Sequence, residues 1–171
     1  CMNYIDTETF NAVPISHGTY KYTSTCEPMI ATYALGDTAP VQAWDITTGE
    51  PMPEDLAWIL DDDSELLTAH SSMFDRRVLM RPPINRTVRR ERWRDTMVKA
   101  MAHGLPGGLG IIGNIVGLPA DKAKDKDGKR LIKLFCVPQL FKHNVPNGGP
   151  AKERKEKIAA LRAAWTGRAT R

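Results

Sequence analysis

Polar and apolar residues alternate with a period of two at several points along the chain, as they do in β-strands. Strands are predicted over Met2–Thr9, Met29–Gly36, Val41–Ile46 and Glu65–His70. The turn signal of Asp37–Pro40 joins the second and third strands as a hairpin. Asn11–Thr25 is polar and contains a proline and a glycine, so it predicts a loop.

Other segments place apolar residues three or four positions apart, which is typical of helices. The predicted helices are Pro53–Leu60, Met73–Met80, Gly108–Leu118, Arg130–Cys136 and a basic helix over Lys152–Trp165. At Asp95 two interpretations stay open, since it either ends a fifth strand or caps a helix. Segments 121–130 and 143–150 predict loops. Strands that interleave with helices indicate an α/β fold, with a mixed β-sheet flanked by helices.

Length and composition favour one folded domain over residues 1–171. The chain has 42% hydrophobic and 26% charged residues, which excludes a mainly disordered chain, a collagen-like repeat and a coiled coil. No apolar run approaches the roughly 20 residues of a membrane helix. The acidic, polar stretch from Asp6 leads us to expect no signal peptide, and three widely spaced cysteines give no zinc motif. We therefore expect a cytoplasmic protein without a membrane partner.

The net charge of +4 conceals a gradient along the chain. The net charge is −7 over residues 1–60, +2 over residues 61–120 and +9 over residues 121–171. Eight arginines lie between positions 76 and 94, which predicts either a path for a DNA backbone or a solvated surface. The basic segment 139–171 either binds a polyanion or forms a solvated helix, and its charge favours neither interpretation over the other.

Asp6 and Glu8 end the first predicted strand and lie two residues apart. Residues at this spacing share one face of a strand, so their carboxylates are expected to converge. Two converging carboxylates repel unless a cation lies between them, and oxygen ligands suit Mg²⁺ or Mn²⁺. The alternative is a solvated acidic turn.

Asp75 is predicted in the first turn of a helix that follows a strand, within the segment Thr68–Asp75. A carboxylate there either stabilises the helix N-terminus or serves a site. His70 is expected to pack or to cap rather than to act as a base. Asp95 fits a helix N-cap better than a further metal ligand. The glycines at 107 and 108 lack a phosphate-loop lysine and predict a tight turn into a packed helix.

Taken together, Ile5–Phe10 and Thr68–Asp75 resemble the first two motifs of the DEDD family of 3′→5′ exonucleases. Gly18–Tyr22, Leu105–Leu109 and the stretch from Asp125 to Cys136 are similar to the exonuclease domains of phage and prophage family A DNA polymerases. The resemblance covers about residues 2–138. It implies a ribonuclease-H-like fold in a bacterial or phage-infected cell, and continuity with a polymerase domain.

The resemblance also implies two-metal hydrolysis of 3′-terminal phosphodiesters at a single-stranded DNA end. Asp6 would bridge two Mg²⁺ or Mn²⁺ ions, Glu8 would hold the nucleophile-side ion, and Asp75 would support the second. Residues near the terminal nucleotide would be Thr7, Thr9, Phe10, Ser71 and Phe74. Both phenylalanines fit a core position as well.

Two departures from the family pattern stand out. No Asp follows Asp127, so the third motif and its fourth carboxylate are not recognised; the only later acids are Glu153 and Glu156. Either the sequence stops before the third motif or the site is broken; we expect the former, an incomplete fragment with weak or absent activity. Ser71 stands where the family usually has Asn. Two alternatives therefore stay open: an inactive nuclease-like module that binds single-stranded nucleic acid, and a stand-alone RNase T-like exoribonuclease.

Overall fold

A five-stranded sheet forms the centre of the computed structural model, which describes residues 2–119, 128–137 and Glu156. Its strands are β1 (Met2–Phe10), β2 (Glu27–Leu35), β3 (Gln42–Asp45), β4 (Leu66–Ala69) and β5 (Trp93–Asp95). They lie in the order β3-β2-β1-β4-β5. All four predicted strands are present, with ends that differ by up to two residues from prediction, and the fifth strand that was left open at Asp95 also forms.

The sheet is mixed, as predicted. β2 runs antiparallel to both β1 and β3, whereas β1 and β4 are parallel, and so are β4 and β5. The pairing of β1 with β4 covers only Met2 to Tyr4, opposite Leu66 to Thr68. Beyond Tyr4, the backbone groups of β1 that face β4 can therefore bond with groups outside the sheet. This divergence of β1 and β4 positions the candidate site.

The described helices are α1 (Thr19–Thr23), α2 (Glu54–Asp61), α3 (Ser72–Leu79), α4 (Thr96–Ala102), α5 (Leu109–Ile115) and α6 (Gly128–Phe135). The prediction of a loop over Asn11–Thr25 was wrong, because a short 3-10 helix (Ile15–His17) and α1 lie within it. Tyr22 and Thr23 of α1 are buried, and α1 contacts α3. This helix is stabilised by tertiary packing, so the local pattern of apolar residues does not predict it.

At Asp95 both interpretations hold at once. β5 ends at Asp95, and the same residue caps α4, its carboxylate accepting hydrogen bonds from the Met97 and Val98 N–H groups. The two structures fit together because an N-cap residue keeps an extended backbone while its side chain serves the helix.

The main hydrophobic core lies on one face of the sheet. It comprises residues from the strands, α2, α3 and the segment before β5: Ile5, Ala31, Tyr33, Trp44, Leu56, Ile59, Leu67, Leu79, Ile84 and Trp93, among others. On the other face, β1 exposes Tyr4, Asp6 and Glu8. Burial of the apolar face therefore leaves the carboxylates of β1 accessible.

The expectation that Gly107 and Gly108 lead into a packed helix was half right. Gly108 is the N-cap of α5, but only Gly113 of that helix is buried, while Leu109, Ile111 and Ile115 are exposed. Residues 121–127 of the predicted loop, segment 143–150 and the basic helix lie outside the described residues, apart from Glu156, which is helical and exposed. No helix within the described part of the chain has the length and apolar character needed to cross a membrane.

Candidate metal and nucleic-acid site

Asp6 and Glu8 lie on the same exposed face of β1, as their spacing predicts. Exposed and buried residues alternate from Met2 to Glu8, and the alternation breaks at Thr9 and Phe10. At the same point, the pairing of β1 with β2 shifts register between Glu8 and Thr9. The two carboxylates therefore share a face, but Glu8 lies at the irregular end of the strand.

Asp75 lies in the first turn of α3, as predicted, and is fixed to β1. Its Oδ1 accepts hydrogen bonds from the Thr7 N–H, at 3.1 Å, and from the Thr7 hydroxyl, at 2.8 Å. The backbone donor is available because β4 no longer pairs with β1 at this position. This buried double contact brings the acid of the second motif against the strand that carries the first.

Burial dominates the electrostatics of Asp75, whose side chain is 1% exposed. Burial, opposed by the Thr7 hydrogen bonds and reinforced by the charge of Asp6, raises the pKa of Asp75 to about 7. A neighbouring carboxylate and a low-dielectric setting both disfavour the ionised form. The carboxyl groups of Asp6 and Asp75 are therefore close enough to interact electrostatically.

Glu8 lies near the end of α6. Burial raises the pKa of the Cys136 thiol, and the charge of Glu8 adds to that effect. The Asn11 N–H donates to the Cys136 carbonyl at 3.2 Å, which ties the segment after α6 to the end of β1. Among the described residues, no group of three or more Asp, Glu, His or Cys side chains is arranged to hold a metal ion.

The chemistry of Asp6 and Asp75 fits a divalent cation. Both offer hard oxygen ligands, and their mutual repulsion would be relieved by a positive charge between them. Asp75 is held by Thr7 in a fixed orientation, so little reorganisation is needed for it to bind an ion. The described residues thus offer two carboxylates that could bind a divalent cation, without the complete ligand set that the resemblance implies.

The side chains predicted near a terminal nucleotide are mostly buried. Thr7, Thr9 and Phe10 are each at most 9% exposed, and Thr9 Oγ1 lies 2.9 Å from the Tyr22 hydroxyl. Phe74 is half-buried, with its ring centroid 5.9 Å from that of Tyr22. The side chains of the first three face the interior, so only their backbone is left for the nucleotide contact that the resemblance implies, and that contact stays a prediction.

The start of α3 holds two features that were not predicted from the sequence. Ser71 has a left-handed backbone, with φ 70° and ψ 51°. Asp95 accepts hydrogen bonds from the Ser71 N–H, at 3.2 Å, and from the Ser72 N–H, at 2.7 Å. A signal did exist for the second feature, since an Asp at the end of a strand parallel to β4 falls beside the turn that follows β4.

His70 bridges the first residue of α4 and the segment before α5, in agreement with the expected packing role. Its Nε2 donates to the Gly107 carbonyl at 2.8 Å, because a carbonyl oxygen only accepts. Its Nδ1 lies 2.9 Å from the Thr96 hydroxyl and takes the acceptor role in the neutral ring. These contacts hold the segment before α5 close to the end of β4.

A cavity of about 250 Å³ opens on the Asp6 face of the sheet. Side chains from β1, β2, β4 and α4 line it, among them Tyr4, Asp6, Thr32, Thr68, His70 and Thr96. The Thr68 hydroxyl is buried and has no hydrogen-bond partner within the described part of the chain. The Asp6 carboxylate therefore lies at the edge of a concave cavity with a partly polar lining.

Three of the eight arginines have partners within the fold around the end of α2. Arg86 and Arg89 pair with Asp61 and Asp63, at 2.7 and 3.0 Å. Arg92 is buried and donates to the carbonyls of Ile59, Leu60 and Glu65. These three stabilise the turn after α2. The predicted DNA path is therefore reduced to the remaining members of the cluster.

One of those remaining arginines is well placed on α3. The guanidinium of Arg77 lies 4.0 Å from the ring centroid of Tyr20, whose side chain is 71% exposed. Arg77 Nε also donates to the Thr23 hydroxyl at 2.6 Å. Arg77 therefore forms a cation–π pair, two residues beyond Asp75, of a kind that suits contact with nucleic acid.

Comparison with known proteins agrees with the sequence resemblance. The chain is 32% identical over 168 residues to the DNA polymerase of Bacillus phage SP02, an alignment that covers 92% of this chain and 25% of the polymerase. The chain thus spans about a quarter of the length of the curated relative it matches. No family model matches the chain.

Solved nuclease structures share the fold. Brucella melitensis NrnC superposes with a TM-score of 0.51 at 16% identity, over 99% of this chain and 76% of that one. NrnC with bound Mg²⁺ and NrnC bound to pGG each give a TM-score of 0.52. The EXO domain of Aedes aegypti Nibbler gives 0.51 at 14% identity, over 83% and 68% of the two chains.

These likenesses confirm the predicted fold class and the predicted resemblance to a phage DNA polymerase. At 14–16% identity the structural matches show the fold alone.

Proposed function

We propose that this chain is a 3′–5′ exonuclease domain that hydrolyses 3′-terminal phosphodiesters of DNA with Mg²⁺ or Mn²⁺. The observation that carries the proposal is the buried contact between Thr7 and Asp75, which brings Asp75 close to Asp6. Sequence similarity to a phage DNA polymerase and the shared fold of nucleases support the same conclusion.

In this proposal Asp6 and Asp75 hold a divalent cation, and Glu8 contributes to a second ion from the same strand face. The ions supply charge neutralisation of the phosphodiester and a water made more acidic. Thr7 orients the Asp75 carboxylate through its two hydrogen bonds. The backbone of β1 beyond Asp6, where β4 has diverged, is the surface on which the terminal nucleotide rests.

We also propose that the nucleic acid is a single-stranded DNA 3′ end, and that the natural context is a longer polymerase. NrnC was solved with pGG bound, which shows nucleic-acid binding by a protein of this fold. The similarity to a phage polymerase favours DNA over RNA as the substrate. Arg77 and Tyr20 offer a cation and an exposed aromatic ring for the strand.

A second candidate function is binding of single-stranded nucleic acid without cleavage. One observation favours it: the described side chains do not include a three-ligand metal group. Metal-dependent turnover separates the two candidates, because a protein that only binds the strand leaves its length unchanged.

The test incubates the chain with 5′-labelled single-stranded DNA, with Mn²⁺ or with EDTA. Asp6→Ala and Asp75→Asn are compared with Asp61→Asn, which removes an exposed carboxylate that pairs with Arg86. A Mn²⁺-dependent ladder that shortens from the 3′ end is expected for the unaltered chain and for Asp61→Asn. Asp6→Ala and Asp75→Asn are expected to reduce it by at least about 100-fold.

Cleavage that persists in Asp6→Ala would refute the site assignment. A folded chain that retards the DNA without cleaving it would replace the exonuclease with the binding module. An equal rate on labelled RNA would overturn the preference for DNA.

A further inference from the structure

One carboxylate, that of Asp95, joins the N-termini of two helices. Its Oδ1 accepts from the Met97 N–H at 2.9 Å and from the Val98 N–H at 3.2 Å, the first free donors of α4. The same oxygen accepts from the Ser71 N–H at 3.2 Å. Its Oδ2 accepts from both the N–H and the hydroxyl of Ser72, at 2.7 and 2.9 Å.

This arrangement exceeds an ordinary N-cap. A capping side chain normally satisfies one or two donors of its own helix. Asp95 satisfies two donors of α4 and three more at the start of α3, across the β4–β5 pairing that places it opposite Ala69. Burial opposes its ionisation, but hydrogen bonds from Val98, Ser72 and Ser71 outweigh burial and lower the pKa of Asp95.

The turn that Asp95 holds sets the position of Asp75. Ser71 occupies the left-handed region, which non-glycine residues adopt at a cost, so the turn needs outside support. Ser72 is buried and begins α3, and Asp75 lies three residues later, on the same face of that helix. Rotation or fraying of the first turn of α3 would therefore move Asp75 away from Thr7.

We propose that Asp95 is a positioning residue, which fixes the start of α3 so that the Asp75 carboxylate meets Thr7 in the metal-binding geometry. This inference rests on the proposed function for its consequence in catalysis. Its structural part, the transmission from Asp95 to the Thr7–Asp75 contact, is independent of that function.

Asp95→Asn tests the proposal, because an amide keeps one acceptor oxygen and turns the other into a donor. The variant can still cap α4 through its remaining oxygen, but it cannot also accept from Ser72. Asp45→Asn is the matched control. Asp45 caps the 3-10 helix Ile46–Thr48 by accepting from the Thr47 N–H, and it lies far from α3 along the chain.

Two measurements are made: hydrogen exchange of the Thr7 amide in the metal-free protein, and the affinity for Mn²⁺ by calorimetry. Asp95→Asn is expected to speed Thr7 exchange at least tenfold and to weaken Mn²⁺ binding about tenfold, with sheet amides such as that of Ile5 unchanged. Asp45→Asn is expected to change neither. Ser72→Ala, which loses only the hydroxyl contact, is expected to show the same effects to a smaller degree.

The proposal is overturned if Asp95→Asn leaves both Thr7 exchange and Mn²⁺ affinity at the level of Asp45→Asn. If Asp95→Asn fails to fold, Ser72→Ala decides, and unaltered values there reject the role. An unaltered chain that binds no Mn²⁺ refutes the proposed function instead, while Thr7 exchange still reports on Asp95.

Discussion

Thr7 donates both its backbone N–H and its hydroxyl to a single oxygen of Asp75, across 68 residues of sequence. The backbone donor exists only because β4 pairs with β1 no further than Tyr4. The divergence of two parallel strands therefore creates the place where a carboxylate from the following helix docks. Open α/β sheets commonly form sites at such carboxyl ends of strands.

Thr7→Val should weaken metal binding while keeping the shape of the side chain. The substitution removes the hydroxyl donor but leaves the backbone donor to Asp75. We expect a further rise in the pKa of Asp75, about threefold to tenfold weaker Mn²⁺ binding, and a loss of about 1 kcal/mol of stability. Calorimetry with Mn²⁺ and carbon-detected NMR titration of Asp75 check this outcome.

Thr9→Val is the control for that experiment. It removes a buried hydroxyl that contacts Tyr22 rather than a carboxylate. A similar loss of stability with an unchanged Asp75 pKa is expected, and an equal pKa change in both variants would contradict the assigned role of Thr7.

The metal-free protein should lose stability as the pH rises toward neutrality. Asp75 titrates near 3.8 when unfolded and at about 7 in the fold, so the folded state retains a proton that the unfolded state has released. Its contribution is fully present below pH 3.8 and is lost as the pH passes through about 7.

Asp75→Asn should remove this pH dependence. The amide oxygen still accepts from Thr7, and no charge is buried at high pH. We expect the metal-free variant to be more stable than the parent by about 4 kcal/mol near pH 8, with little difference near pH 4. Urea unfolding at several pH values with EDTA measures this, and equal curves for the two proteins would contradict it.

Ser71→Asn should stabilise the fold. Ser71 lies in the left-handed region, which Asn tolerates better than Ser does. The Ser71 hydroxyl makes no capping hydrogen bond that the change would remove. A gain of about 0.5–1 kcal/mol is expected, seen as a rise of about 1–4 °C in Tm.

Ser16→Asn provides the comparison, because Ser16 is exposed and its backbone is not left-handed. It is expected to change Tm by less than about 1 °C. A loss of stability in Ser71→Asn would show that the new side chain clashes at the turn.

Arg92→Lys should destabilise the protein. The Arg92 guanidinium donates to three carbonyls around the end of α2, and one ammonium group cannot reach all of them. We expect a loss of about 2–4 kcal/mol in urea unfolding, against less than about 0.5 kcal/mol for Arg90→Lys at an exposed position. If both variants lose less than about 0.5 kcal/mol of stability, Arg92 is not needed for the fold and becomes a candidate for DNA contact.

The local sequence pattern does not predict helix α1. Segment 11–25 has the composition of a loop, yet Tyr22 is buried against Phe74 and bonded to Thr9. The helix that carries Tyr22 is only five residues long, too short to be stable by itself. Its presence depends on contacts with β1 and α3, which a local periodicity does not contain.

Local sequence determined the parts of the site that depend on short-range geometry. The period of two put Asp6 and Glu8 on one strand face, the strand–helix junction put Asp75 in a first turn, and Asp95 carried a capping signal. Only the tertiary structure decided how these parts meet. The end of the β1–β4 pairing opened Thr7 to Asp75, and the β4–β5 register set Asp95 against Ser72. Such contacts join residues that are distant along the chain, so they follow from strand order and register rather than from the spacing of neighbouring side chains.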